Sequence, residues 1–327
     1  MAADQHRAAS GMSLEAHAPS APVTPRTETR SAALLALGAI ALWGTLAPLG
    51  VALREVPPFL LTGLGLLAGS ALGLALTSWQ LLRSAPASAA RQQAMRSLRL
   101  PARTLALGVY GLFGFHFLLF IALRHAPPVQ ANLVNYLWPL GMVLLAPLFL
   151  PHTRLRIVHV VAALLGFAGA ALAILGAAGG ASADAGASGF AWGYVPAGAS
   201  AFVWASYSLL SQRVAPFPTA SIGVFGLASG LLSLLCHLVL EPSVGLSTGE
   251  VLLIAMLGLG PLGGAFYLWD AALKRGDARQ IGLLSFLTPL LSTLGLLWLR
   301  AEWPSASIVL AATLIVGAAW LGSRAAP

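Results

Sequence analysis

A group of polar and aromatic residues interrupts the fourth long apolar stretch of the chain. Asn132, Asn135, Tyr136 and Trp138 stand within seven positions, and Pro139 follows them. Three- and four-residue spacing places Asn132, Asn135 and Tyr136 on one face of a helix. In lipid, such groups need partners from other helices, water or a ligand. The segment therefore predicts a ligand-binding face inside a membrane protein.

Tryptophan residues supply a second set of candidate ligand contacts. Trp43, Trp138 and Trp204 lie deep in apolar stretches, and Tyr207, with Ser206 and Ser208 beside it, continues a polar face beyond Trp204. Aromatic faces around a cavity suit an aromatic or broadly apolar solute, and packing between helices is the alternative role. The other tryptophans lie near the ends of apolar stretches and are predicted to anchor in the membrane interface: Trp79, Trp192, Trp269, Trp298, Trp303 and Trp320.

Titratable groups at membrane depth are scarce. The ten acidic residues all fall outside the middle of an apolar stretch, so the buried carboxylate of a proton-coupled carrier is missing. His116 is the most central titratable group; it could hydrogen-bond a ligand or relay protons, or it could bond to a neighbouring helix. His159 and His237 have no polar neighbourhood in the sequence and are interpreted as structural. Facilitated movement down a substrate gradient is the simpler hypothesis.

The sequence predicts no catalytic residue, no metal site and no cofactor. Its single cysteine, Cys236, excludes thiol-based metal ligation and a disulfide framework. A GxxxxGK[ST] phosphate loop is absent, so the chain itself does not hydrolyse ATP. The net charge of +8 is spread over loops without a nucleic-acid-binding motif, and we expect no nucleic-acid partner.

Composition places the chain in a lipid bilayer. Charged residues make up 9% and hydrophobic residues 58%, whereas a soluble domain averages about 25% charged residues. Crossing the hydrocarbon takes about 20 apolar residues. The sequence predicts an all-α protein with ten spans, at residues 31–51, 58–79, 104–123, 131–150, 157–177, 189–211, 219–240, 251–271, 281–299 and 305–322.

The two halves of the sequence are related by duplication. Residues 123–140 pair without a gap with residues 273–290, and six of the eighteen pairs are identical, including Pro139 with Pro289. Each of these prolines removes a backbone donor at an equivalent place, which predicts a paired kink or hinge. Pairing Trp43 with Trp204 gives an offset of 161 rather than 150. The first half therefore contains eleven extra residues, which fit the Arg-rich loop 80–103.

The distribution of basic residues predicts the orientation. Of the eighteen Lys and Arg residues, fifteen fall on the N-terminal side of the membrane and three on the other, which predicts cytoplasmic termini. Five spans in each half make the two repeats inverted. The predicted organisation is a disordered cytoplasmic tail (1–30), a first five-helix repeat (31–177), a periplasmic connector (178–188) and a second five-helix repeat (189–327).

Several motifs resemble the EamA domains of the drug/metabolite transporter superfamily. They are Ala-Leu-Trp-Gly-Thr at 41–45, Arg-His-Ala-Pro-Pro at 124–128 and Leu-Leu-Ser-Phe-Leu-Thr-Pro-Leu at 283–290. Within that superfamily, Val-Asn-Tyr-Leu-Trp-Pro at 134–139 and Phe-Val-Trp-Ala-Ser-Tyr at 202–207 are similar to segments of the YddG aromatic amino acid exporters. The resemblance implies a ten-helix exporter in the bacterial inner membrane. Its central cavity would be lined by the residues that match these motifs, with Trp43 a weaker match: Asn135, Tyr136, Trp138, Trp204 and Tyr207.

The leading hypothesis is a secondary exporter or facilitator of small metabolites, amino acids including aromatic ones, working by alternating access. Its expected partners are the substrate and the lipid bilayer, and its expected state is a monomer. A nucleotide-sugar carrier of the same superfamily is the first alternative, but it should place Lys or Arg at depth to bind phosphate. A membrane enzyme that modifies lipids is the second, and it would need acidic clusters to hold Mg²⁺.

Overall fold

The computed structural model describes residues 25–151, 153–177 and 191–324, and this part of the chain is helical without a strand. Nine of its helical segments are long and apolar enough to cross a membrane. The tenth crossing is the shorter helix Tyr194–Leu210. The fold prediction is confirmed: the protein is an all-α integral membrane protein with ten helices in two inverted five-helix repeats.

The first repeat contains spans 1 to 5, of which spans 1, 3 and 4 are each built from more than one helical segment. Its helices are α1 (Pro25–Gly44), α2 (Leu46–Ala52), α3 (Pro58–Arg83), α4 (Ala89–Leu98), α5 (Ala102–Val109), α6 (Phe115–His125), α7 (Pro128–Asn135), α8 (Trp138–Phe149) and α9 (Ile157–Ala177).

The second repeat contains spans 6 to 10. Its helices are α10 (Tyr194–Leu210), α11 (Ile222–Leu240), α12 (Thr248–Leu259), α13 (Ala265–Leu273), α14 (Ala278–Leu284), α15 (Leu287–Leu299) and α16 (Ala306–Ser323).

The described helices differ from the predicted segments mainly at their ends. Helix α1 begins at Pro25, within the predicted tail, because proline is favoured in the first turn and a polar helix end can project into water. The rest of the predicted tail and the predicted connector 178–188 lie outside the described residues.

The packing of the spans follows the two-repeat symmetry. Span 2 (α3) lies along its counterpart span 7 (α11), and span 5 (α9) lies along span 10 (α16). Span 1 packs on span 8 through α1 and α13, and the equivalent contact joins span 6 to span 3 through α10 and α6. Spans of the two repeats therefore pack against each other, and both repeats contribute to the middle of the molecule.

Equivalent spans are interrupted at equivalent places. Span 3 contains a π-helical turn at Tyr110–Gly114, and span 8 contains one at Gly260–Gly264, 150 positions later. Span 4 breaks between Asn135 and Trp138, and span 9 breaks between Leu284 and Leu287. Pro139 and Pro289 lie in the first turn after each break, where a missing N–H costs nothing. At both places of the predicted paired kink, the regular helix is interrupted for two residues.

The extra residues of the first half form an amphipathic helix, α4. Its N-cap is Ser88, whose hydroxyl accepts a hydrogen bond from the backbone of Arg91. Arg91 in turn donates to the carbonyl of Leu81 at 2.6 Å, which ties α4 to the end of α3. Helix α4 also packs on the short 3₁₀ turn Thr219–Ser221 that begins span 7. The insertion therefore joins the two repeats at the membrane face that carries the chain's described ends, hereafter the terminal face.

The opposite face, hereafter the distal face, carries the turn between spans 1 and 2. Here the buried carboxylate of Glu241, at the end of span 7, accepts hydrogen bonds from the backbone N–H groups of Phe59 and Leu60. It also accepts from Arg124 and contacts the His237 ring nitrogen, each at 3.0 Å. The interpretation that His237 lacks polar neighbours is therefore wrong: its partner lies one helical turn further along. Glu241 joins spans 2, 3 and 7.

A matching cluster on the terminal face surrounds Lys274, the residue equivalent to Arg124. Its ammonium binds the Asp270 carboxylate at 2.6 Å, donates to the carbonyl of Phe217 at 2.8 Å and lies over the Phe217 ring at 4.0 Å. Burial lowers the pKa of Lys274, and the charge of Asp270 opposes that effect. The cluster joins the end of span 8 to the start of span 7, as Arg124 and Glu241 join spans 3 and 7.

Candidate functional site

A cavity of about 460 Å³ lies between the two repeats and extends toward the distal face. Its walls include Leu46 near the end of span 1, Leu61 near the start of span 2, Leu123 near the end of span 3 and Asn132 near the start of span 4. All four positions belong to the distal halves of their spans. The volume falls in the range of about 300–1,000 Å³ that is usual for small-molecule sites.

The floor of the cavity, at the middle of the membrane, is a cluster of aromatic rings. The ring centroid of Trp43 lies 5.8 Å from that of Trp204, 6.3 Å from that of Trp138 and 6.0 Å from that of Phe266. Trp43 and Trp204 are equivalent residues of the two repeats, so the duplication itself brings them together. These rings are held by spans 1, 4, 6 and 8, and they face the cavity from both halves.

Trp269 belongs to the same cluster, and its predicted place in the membrane interface is wrong. Its side chain is 1% exposed and its ring lies 5.1 Å from that of Trp43. The prediction was based on the position of Trp269 near the end of span 8. Helix packing buries that end against span 1. The other tryptophans assigned to the interface are at least 54% exposed.

Polar groups of span 4 border the cavity above this floor. Asn132, Asn135 and Tyr136 all line it. Asn135 is buried and its amide is hydrogen-bonded to the hydroxyl of Ser200 on α10 at 2.8 Å, which fixes the side chain. Asn135 before the break, Tyr136 within it and Trp138 after it all line the same space.

His116 lines the cavity from the first turn of α6. Its Nδ1 lies 2.6 Å from the backbone carbonyl of Leu112, which can only accept a hydrogen bond. Nδ1 therefore carries a proton, and in the neutral ring Nε2 is left as an acceptor. The observed bond joins His116 to its own span rather than to the neighbouring helix that the structural alternative expected, and the ligand-binding role stays a prediction.

Tyr207 lies behind Trp204 rather than among the residues that line the cavity. Its ring centroid is 5.3 Å from that of Trp204, and its ring packs against Gly111 in the π turn of span 3. Ser206 bonds to the hydroxyl of Tyr110, and Ser208 accepts from Trp269. This part of α10 therefore supports the floor from the terminal side.

Three polar residues that line the cavity were not predicted from the sequence: Thr62, Thr288 and Ser292. Thr288 is 150 positions after Trp138, so the internal repeat contained the signal that would have found it. Its hydroxyl is buried without a hydrogen-bond partner among the described residues. Ser292 donates to the carbonyl of Gly44, where span 1 breaks.

The walls of the cavity carry no formal charge. Among the described residues that line it there is no Asp, Glu, Lys or Arg. The charged groups of the Glu241 and Lys274 clusters lie at the two faces instead. A ligand held here would meet aromatic rings, amides, hydroxyls and one imidazole.

Comparison with known proteins identifies the architecture. The EamA-like transporter family matches this sequence over residues 30–175 and 191–324. The chain belongs to the EamA-like transporter family. It is 45% identical over 289 residues to the "Aromatic amino acid exporter YddG" of Ancylobacter novellus, which covers 88% of this chain and 96% of that protein.

More distant relatives and a solved structure agree with this assignment. The YddG protein of Escherichia coli, named as an aromatic amino acid exporter, is 26% identical over 90% of this chain and 98% of its own length. A crystal structure of a protein 42% identical in sequence superimposes with a TM-score of 0.79, covering 91% of this chain and 97% of that one. The EamA protein described here is a multi-pass inner-membrane transporter and not an enzyme.

Proposed function

We propose that this EamA protein exports amino acids, including aromatic ones, through the central cavity. The observation that carries the proposal is the composition of that cavity: an aromatic floor for an apolar side chain beneath neutral polar groups for the substrate's charged end. Its relatives named as aromatic amino acid exporters support the substrate class. The absence of Lys and Arg from the described lining argues against a nucleotide sugar, whose phosphates need cations.

The proposed orientation places the distal face in the periplasm. Fifteen of the eighteen basic residues then lie on the cytoplasmic side, together with both termini. The cavity in this structure would open to the periplasm, and the aromatic floor with the Lys274 cluster would close the cytoplasmic side. A reporter that fluoresces only in the cytoplasm should be active at the C-terminus and inactive in the distal loop 241–247. The opposite pattern would reverse the proposed direction.

Transport by purified protein tests the substrate class directly. Proteoliposomes loaded with labelled tryptophan, phenylalanine, threonine or a nucleotide sugar should release the amino acids and retain the sugar. Protein-free liposomes measure leakage. If none of the amino acids is released, the proposal is wrong. Release of the nucleotide sugar alone would favour the alternative carrier.

Substitutions in the cavity test its location. Trp204→Ala and Asn135→Ala should lower amino acid flux about tenfold, since each removes a wall of the cavity that contacts the substrate. Trp298→Ala is the matched control, because Trp298 is 80% exposed and far from the floor in sequence and packing. The amount of inserted protein is measured for every variant. Unchanged flux in the two cavity variants would assign those residues to packing alone.

Facilitated movement down the substrate gradient is the proposed driving mechanism, and His116 is the group that tests it. Its ring is the one imidazole among the described lining residues, and no carboxylate stands beside it to form a proton relay. Flux should therefore be the same with and without an imposed pH gradient. A dependence on that gradient that disappears in His116→Gln would establish proton coupling instead.

The cavity is enclosed by helices of one chain, so a monomer is the proposed transport unit. Spans from both repeats contribute to its walls and floor. The molecular mass of the protein component in detergent, measured by light scattering, should correspond to a single chain, and activity should not depend on protein density in the liposomes.

A further inference from the structure

The four tryptophans of the aromatic floor differ in what their indole nitrogens do. Trp43 donates its N–H to the backbone carbonyl of Pro261 at 3.1 Å. Trp269 donates its N–H to the hydroxyl of Ser208 at 3.1 Å. These two bonds point away from the cavity into the helix packing, where a buried indole N–H normally finds its partner.

Trp138 and Trp204 make no such bond. Within the described part of the chain, neither indole nitrogen has a hydrogen-bond acceptor, although their side chains are 6% and 3% exposed. Neither nitrogen belongs to the fully enclosed unpartnered atoms, which are Gln212 Nε2, Ser221 Oγ, Ser229 Oγ and Thr288 Oγ1. Both residues line the cavity, so a ligand there would lie beside both indoles.

The two unpartnered donors come from different repeats and lie side by side. The ring centroids of Trp138 on span 4 and Trp204 on span 6 are 6.4 Å apart, and the ring planes are nearly perpendicular. Buried polar groups in folded proteins are mostly satisfied by the protein itself, as those of Trp43 and Trp269 are. The N–H groups of Trp138 and Trp204 are not fully enclosed and have no protein acceptor among the described residues, so both are available to an acceptor that enters the cavity with a ligand.

A carboxylate is the acceptor that fits this site best. It has two oxygens that accept hydrogen bonds, and N–H donors bind it more strongly than a neutral acceptor. The described cavity walls offer no Lys or Arg for it, so neutral donors must take that role. Meanwhile His116, with its Nδ1 bonded to Leu112, leaves an acceptor for a positively charged group.

We propose that the indole N–H groups of Trp138 and Trp204 bind the carboxylate of the transported amino acid. This inference rests on the proposed function and gives these residues a second role beside aromatic contact. The protein thereby distinguishes amino acids from amines of the same side chain.

The test compares two ligands that differ only in the carboxylate: phenylalanine and 2-phenylethylamine. Their binding to the full-length protein in detergent is measured by competition with labelled phenylalanine. Phenylalanine should bind the unmodified protein at least tenfold more tightly than the amine. Trp138→Phe and Trp204→Phe keep an aromatic ring and remove the N–H. Each variant should therefore bind phenylalanine about tenfold more weakly, and its binding of the amine should weaken less than twofold.

Trp43→Phe and Trp269→Phe are the matched controls. Each removes an indole N–H from the same cluster, but one that is already bonded to the protein. Any loss of binding in these variants should affect phenylalanine and the amine equally. Equal losses for both ligands in Trp138→Phe and Trp204→Phe would overturn the proposal, as would a carboxylate-selective loss in the controls.

Replacement by benzothienylalanine provides a second variant if the smaller phenyl ring disturbs folding. This residue keeps the bicyclic shape and exchanges the N–H for sulfur, and it should reproduce the selective loss for phenylalanine. Full binding of phenylalanine by the protein with this replacement at positions 138 and 204 would overturn the inference. The two proposals fail separately: absence of amino acid flux refutes the function, whereas normal flux without carboxylate selectivity refutes only the indole contacts.

Discussion

At the scale of one residue, the buried hydroxyl of Thr288 lowers the stability of the fold. Its hydroxyl has no partner among the described residues, although the side chain is 4% exposed. An unpaired buried hydroxyl costs about 1–3 kcal/mol. Thr288→Val should therefore leave stability unchanged or raise it by about 1 kcal/mol, measured as the thermal unfolding midpoint in detergent.

Thr293 on the same helix is the control for that measurement. It is equally buried, but its hydroxyl donates to the carbonyl of Ala173 at 3.3 Å. Thr293→Val leaves that carbonyl without its side-chain donor, so the unfolding midpoint should fall. A fall of the same size in Thr288→Val would mean that the Thr288 hydroxyl has a partner.

The internal repeat related one pair of residues that the structure brings together. The offset of 161 joined Trp43 to Trp204, and their rings lie 5.8 Å apart. Trp269 could not be placed in the same way, because its burial depends on how span 8 packs against span 1. Spacing along one helix also could not show that Trp204 faces the cavity while Tyr207, three positions later, supports it from behind.

At the scale of helices, glycine sets the distance between spans 2 and 8. A Cβ atom added at Gly69 would lie 2.6 Å from the Cα atom of Gly263 and 2.7 Å from the carbonyl oxygen of Gly258. Small residues at helix contacts permit such close approach in membranes. Gly69→Ala should lower stability by roughly 1–3 kcal/mol, and its thermal unfolding midpoint in detergent should fall.

Gly317→Ala makes the same chemical change where there is room. Nothing lies within 4 Å of the added Cβ atom, so the helix gains alanine's higher propensity without a collision. Its unfolding midpoint should stay level or rise. If Gly69→Ala behaved like Gly317→Ala, the two spans would be free to move apart.

The Glu241 cluster makes a second prediction for the helices. Its buried carboxylate accepts hydrogen bonds from two amides at the start of α3 and from Arg124, whose side chain is 36% exposed. Glu241→Gln removes the charge that these donors bind, and should cost about 2 kcal/mol. The thermal midpoint should fall, whereas Glu55→Gln, which loses an exposed pair with Arg54, should leave it unchanged.

The positions of most helices could be predicted from apolar length, but their internal breaks could not. The two breaks beside Pro139 and Pro289 were indicated by proline chemistry. The π turns at Tyr110–Gly114 and Gly260–Gly264 carry no comparable signal in composition. Helix α4 was expected only as eleven extra loop residues, because its contacts with spans 2 and 7 depend on the tertiary arrangement.

At the scale of the whole molecule, the inverted repeats followed from the sequence because five spans and a basic-residue count determine opposite orientations. What the sequence could not provide is the direction in which the cavity extends, since each repeat carries the elements for either state. In this structure the Lys274 cluster and the aromatic floor lie together on one side of the cavity. Residues of both repeats enclose the cavity.

The neutral lining of the cavity has an electrical consequence. Moving one elementary charge across a membrane potential of 100 mV changes its energy by about 2.3 kcal/mol. A zwitterionic amino acid has no net charge, and the described walls that carry it add none. Export of phenylalanine should therefore generate no steady current, and a potassium-diffusion potential of either sign should leave the flux unchanged. A measured current would reveal a co-transported ion. Without a current, export would not consume the membrane potential of the cell.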